Sequence, residues 1–175
     1  IAPPSGRRSE IGQASPASLA SADGAARTST TVAFLVDTNV LVYRFDARFP
    51  RKQKRARQLL RDGIATGEAR LAHQALVEFV AATTRPFGKS GESILSVEDA
   101  RREAEALLDQ FTVIYPAESL LRLAIRGAAT YQLSWFDAHM WAFAEHHGLS
   151  PLYSEDFQHD RAYGTVRVVN PFIEP

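Results

Sequence analysis

Four carboxylates occupy positions where a carboxylate is costly or conspicuous: Asp37, Glu78, Asp137 and Asp156. Asp37 directly follows the apolar run Val32-Ala33-Phe34-Leu35-Val36, which reads as a buried strand. Ligands of open α/β sheets bind just beyond the carboxyl ends of strands, although Asp is also a good helix N-cap and Val40-Leu41 could begin the helix it caps. Glu78 is the one charged residue between His73 and Arg85, in an Ala-rich helix apolar on nearly all sides, which predicts a buried helix and a carboxylate needing a partner or a metal. Asp137 closes Ser134-Trp135-Phe136-Asp137, a capping box at the start of a helix that Phe136, Ala138, Met140, Trp141 and Ala144 would bury. Asp156 follows the strand-like Leu152-Tyr153 and repeats the strand-then-acid pattern, with Glu155 and Asp160 competing for the same role. Brought together, such acids repel one another and raise one another's pKa. A divalent cation removes that penalty, and an all-oxygen ligand set suits Mg²⁺, with Mn²⁺ as the alternative.

The elements that must position these acids alternate along the chain. Helices are expected from about Pro50 to Ile64, with Ala56, Leu59, Leu60 and Ile64 as the apolar stripe, and from about Gln74 to Thr84. Others run from Ser96 through Gln110, Glu118 to Tyr131, and Ser134 to His147 with Gly148 as the stop. Strands are expected at Ala69 to Ala72 and Phe111 to Tyr115, with Leu152-Tyr153 and Val166 to Val169 as the last two. Arg85 to Leu95, with Pro86, Gly88 and Gly91, reads as a mobile loop. Alternation of this kind predicts an α/β fold with a mainly parallel sheet covered on both faces.

The 175 residues suit one domain. Ile1 to Thr31 is rich in Ala, Ser, Gly, Pro and Thr, and the chain starts at Ile rather than Met. This segment is expected to be a flexible or non-native tail, leaving the domain at 32–175. Arg7-Arg8 is not followed by the apolar region that an export signal needs. With no cysteine, disulfides, thiolate metal sites and a Cys nucleophile are excluded. A cytoplasmic protein without a membrane span is expected. Twenty basic and twenty acidic residues cancel, yet Arg44, Arg48, Arg51, Lys52, Lys54, Arg55, Arg57 and Arg61 crowd one segment in which Asp46 is the only acid. A haloacid-dehalogenase-type phosphatase needs a second Asp where Asn39 stands, and a receiver domain needs a Lys later than Lys89. The histidines form no HExxH pair.

Val36-Asp37-Thr38-Asn39-Val40-Leu41-Val42-Tyr43, Leu76-Val77-Glu78-Phe79, Phe136-Asp137-Ala138, Ser154-Glu155-Asp156-Phe157 and Val168-Val169-Asn170-Pro171-Phe172 together resemble the PIN-domain ribonucleases, and most of all the VapC-type toxins of bacterial toxin–antitoxin pairs. The resemblance covers Val32 to Phe172. It implies a three-layer α/β/α domain and a Mg²⁺-dependent endoribonuclease that hydrolyses phosphodiesters with a metal-activated water, leaving 5′-phosphate and 3′-hydroxyl ends. By position, Asp37, Glu78, Asp137 and Asp156 would be the acidic quartet. Asp37, Asp137 and Asp156 would hold the metal, Glu78 would bridge or support, and Thr38 and Asn39 would steady the first ligand. Arg44, Arg48, Arg51, Lys54 and Arg55 would receive the RNA backbone. A tRNA or rRNA substrate, a cognate antitoxin and a homodimer are the implied partners. A non-catalytic PIN-like RNA- or partner-binding module is the alternative. One departure is local: where related toxins often carry Gly after Gln-His, this chain has Asp160, which leaves open the turn's geometry and whether a further carboxylate joins the site.

Overall fold

A computed structural model describes residues 32–89 and 91–173; the tail expected at Ile1 to Thr31 lies outside them. The first strand, β1 (Phe34–Val36), is fully buried, as expected of an apolar β-branched and aromatic run. It leads into a short helix α1 (Thr38–Tyr43) and a long basic helix α2 (Pro50–Thr66). There follow β2 (Ala69–Ala72), α3 (His73–Thr84), α4 (Val97–Gln110), β3 (Thr112–Ile114), α5 (Glu118–Tyr131) and α6 (Trp135–His147). The chain ends with β4 (Leu152–Tyr153), β5 (Ala162–Tyr163) and β6 (Val166–Val169).

The sheet has the order β3-β2-β1-β4-β6-β5. The first five strands in that order run parallel, and only β5 pairs antiparallel, with β6. Helices cover both faces, so the α/β/α expectation holds. The chain steps from β1 outward to β2 and β3, then crosses back to place β4 on the other side of β1. The β1/β4 junction is therefore a topological switch point, where adjacent connections leave in opposite directions and open a crevice at the strand ends. Among the described residues, no helix is long and apolar enough to cross a membrane.

Four sequence expectations are corrected. Strand β5 lies between the two strands expected to be the last; its two residues carry too little pattern to be read, and it forms through the turn at Gly164 (φ 64°). Helix α2, expected to end at about Ile64, continues to Thr66 and ends on left-handed Gly67. Gly63 is buried instead of Ile64, because a Cβ there would stand 2.6 Å from that of Ala69, so the helix approaches β2 more closely than a side chain allows. Helix α3 is not wholly buried: Val77 is 57% exposed, Ala81 is exposed and Glu78 is only half-buried. Phe136 also points outward at 62% exposure, while Ala138, Met140, Trp141 and Ala144 are buried as expected.

Candidate active site

Asp37 ends β1 and caps α1, with extended backbone (φ −78°, ψ 160°) and its side chain accepting from the Thr38 amide at 2.6 Å. Capping and site geometry thus coincide in one residue. Its second oxygen accepts from Ser154 Oγ (2.5 Å) and Asn39 Nδ2 (2.9 Å). Asn39 Nδ2 also donates to Asp156 Oδ2 (3.1 Å), so one amide braces the acids that follow β1 and β4. Ser154, fully buried, accepts from the Asp156 backbone amide, which anchors the loop after β4. Glu78 is held through both oxygens: Thr38 Oγ1 donates to Oε2 (2.8 Å) and Gln74 Nε2 to Oε1 (2.7 Å). Asp137 occupies the first turn of α6, where Ser134 accepts from its amide and donates to its carboxylate (2.7 Å). Ser134 caps the helix as expected, with Asp137 reaching back to its hydroxyl, and Asp137 stands in the wall of the same cleft.

All four acids line this single cleft of about 590 Å³. Burial, followed by repulsion from Asp156 and Glu78, pushes the Asp37 carboxyl up from an ordinary 3.8 to about 7, against the lowering bonds from Ser154 and Thr38. Burial and the same two neighbours raise Asp137 as well, opposed by Ser134. The acids stand as a repelling set braced by hydrogen bonds, and among the described residues no three acidic or histidine side chains already form a metal-ligand group. The chemistry of the donor set nonetheless fits a hard cation: it is all oxygen, it is electrostatically frustrated, and the buried Asn39 Oδ1 and Gln74 Oε1 have no hydrogen-bond partner.

The three acids of the last loop have different partners. Glu155 accepts from Tyr43 (2.6 Å) and pairs with Lys52, which fastens the loop to α1 and α2. Asp160 points away and pairs with Arg167. It adopts φ 61°, the left-handed conformation that glycine takes freely, so the turn survives and Asp160 stays out of the cleft, whose wall includes Glu155 and Asp46 beside the four acids.

The basic segment is divided among several surroundings. Arg48 lines the cleft, bonded in a fork to buried Asp46 (2.8 and 2.7 Å) and stacked 4.0 Å over the Phe87 ring. Arg44, Arg57 and Arg61 surround a separate recess of about 420 Å³. Arg51, Lys54 and Arg55 are exposed along α2, Arg55 donating to the Pro171 carbonyl. Sequence reasoning missed Ser154, Gln74 and Arg85, all at or beside the acids. The available signals were the polar residue directly after β4 and the amide one helical turn before Glu78.

Comparison with curated proteins returns no match. Solved structures sharing the fold include a toxin–antitoxin complex from Klebsiella pneumoniae, with TM-score 0.57 and 18% identity, covering 79% of this chain and 98% of that one. Mycobacterium tuberculosis VapC20, described as a sarcin–ricin-loop-cleaving toxin, matches with TM-score 0.51 and 18% identity, over 73% of this chain and 92% of its own. The FitAB complex bound to an IR36 DNA fragment matches with TM-score 0.58 and 18% identity, over 81% and 97%. At such identities the likeness concerns the fold. The family model for the PIN domain matches residues 34–164, a span that starts in β1 and includes all four acids, and the chain belongs to the PIN domain family.

Proposed function

We propose that this protein is a Mg²⁺-dependent endoribonuclease, the toxin of a VapBC-type pair. The observation that carries the reading is the convergence of Asp37, Glu78, Asp137 and Asp156 on one cleft at the sheet's switch point, with Asp37 raised to about 7 by burial and its acidic neighbours. Asp37, Asp137 and Asp156 would hold the ion, with Mn²⁺ as an alternative. The bound ion supplies an activated water and charge neutralisation at the phosphate.

The chain's own residues do the rest. Ser154, Thr38 and Asn39 hold the Asp37 carboxylate in a fixed orientation, and preorganisation of this kind avoids reordering during the reaction. Arg48, rigid in its fork with Asp46, offers a phosphate contact at the cleft wall, and Arg44, Arg51, Lys54 and Arg55 add sequence-independent attraction for an RNA backbone. The toxin assignment and a cognate antitoxin partner are supported by the toxin–antitoxin complex and the VapC20 toxin among the fold's solved structures. A homodimer and a cytoplasmic location complete the reading, and Ile1 to Thr31 is assigned no part in the chemistry.

Incubation with total tRNA and rRNA tests it. Cleavage is expected with Mg²⁺, is expected to stop with chelator or in Asp37→Asn, and should leave 5′-phosphate ends. Absence of cleavage, cyclic-phosphate ends, or cleavage unchanged in the variant and in chelator would overturn the enzyme reading. Binding of RNA or a partner without cleavage would favour a non-catalytic module.

A further inference from the structure

Gln74 carries more of the acidic site than its place outside the quartet suggests. It sits one turn before Glu78 on α3, and its amide nitrogen makes two bonds: to Glu78 Oε1 at 2.7 Å and to the Phe136 carbonyl oxygen at 3.2 Å. Phe136 is the residue before Asp137 in the first turn of α6. The same amide therefore reaches from the helix that carries Glu78 to the helix start that carries Asp137.

Its orientation is dictated by chemistry. Both partners are acceptors, so both N–H groups must face them. A flipped amide would set its oxygen against a carboxylate and a carbonyl. The remaining atom, Oε1, is buried with no partner, an arrangement that native structures rarely tolerate without reason. With Thr38 Oγ1 on its other oxygen, Glu78 has both oxygens engaged by neutral donors from two different elements. A carboxylate so engaged is suited to fixed orientation beside the metal ligands.

We propose that Gln74 is a positioning residue of the acidic site, its amide fixing Glu78 and locking that carboxylate to the helix start bearing Asp137. Its amide bonds run to Glu78 and to the Phe136 carbonyl, so it acts through Glu78. The inference rests on the metal-site reading above. It predicts that loss of the amide weakens divalent-ion binding only while Glu78 is present.

The test is calorimetric titration of the whole protein with Mn²⁺, as wild type, Gln74→Met, Glu78→Gln and the double variant. Gln74→Met is expected to weaken Mn²⁺ binding about tenfold, the scale of an outer-shell ligand support, with no further loss when added to Glu78→Gln. On RNA, kcat should fall while KM stays unchanged, since no substrate contact is removed. Thermal melting checks folding, and Gln74→Ala, a strong helix former, replaces the Met variant if that one fails to fold. Wild-type Mn²⁺ affinity in the variant, or an equal loss in the Glu78→Gln background, overturns the assignment. Failure of the wild type to bind Mn²⁺ in an Asp37-dependent way would instead overturn the metal-site reading, so the two failures are distinguishable.

Discussion

Asp37 is held in a folded environment that disfavours its charge. Its carboxyl titrates at about 7 against an ordinary 3.8, so between those values the metal-free folded chain binds more protons than the unfolded one. The contribution is fully present below about pH 4 and is lost as pH rises through 7. Three units correspond to about 4 kcal/mol at most. Asp37→Asn should therefore stabilise the metal-free protein at pH 8 by about 1–3 kcal/mol, the gain falling short because a second amide would face Asn39 Nδ2, and should flatten the dependence of stability on pH. Urea unfolding at pH 5 and pH 8 measures both, and a variant no more stable than wild type at pH 8 would contradict the burial argument. Asp160 is predicted differently. Asp160→Gly relieves a left-handed backbone but gives up the exposed pair with Arg167, so stability should change by less than about 1 kcal/mol. Cleavage of RNA should be unaffected, and lost cleavage would return this residue to the site. The four acids were legible as residue types in unusual places. Ser154 and Gln74 gave only their positions, after β4 and one turn before Glu78, because a neutral polar side chain shows its role only when a carboxylate stands opposite it.

At the scale of elements, the helix that carries Asp137 is positioned by its packing on α5. Gly127 of α5 is buried against Trp141 of α6, and a Cβ there would come within 2.1 Å of the indole ring. The ring cannot swing away, since it is buried and its Nε1 donates to the Tyr163 carbonyl at 2.8 Å. Gly127→Ala should destabilise the protein by about 2–3 kcal/mol through overpacking, seen as a lowered urea midpoint with little change in slope. An unchanged midpoint would show that α5 and α6 can separate freely. Several helix limits were readable from local chemistry: Ser96 and Ser134 accept from the amides three residues on, and Gly148 ends α6 in the left-handed conformation. Apolar periodicity was less reliable for orientation. It assigned Ile64 and Phe136 to the interior, whereas Gly63 is buried and both of those side chains are exposed. Close approach to β2, and the open cleft beside α6, are facts about neighbours that a single helix's pattern does not contain.

Across the whole molecule, the acids lie between β1 and α1, on α3, on α6 and in the loop after β4, and meet only because of the strand order. An ion that binds the folded cleft and not the unfolded chain must stabilise the fold by mass action. Addition of Mg²⁺ should thus raise the melting temperature of the wild type at pH 8 and leave that of Asp37→Asn nearly unchanged; equal shifts in both would indicate binding elsewhere. The sequence by itself determined the alternation of strands and helices, the identity of the acids, and the exclusion of thiol chemistry, because these depend on residue type and on spacing within one element. The tertiary structure alone decided which acid of the last loop shares the Asn39 amide with Asp37 and how the basic segment is divided between two recesses and the exposed face of α2. It also set how far Asp37 is raised. Those outcomes depend on distances between side chains far apart in the chain, where burial and Coulomb repulsion act through space.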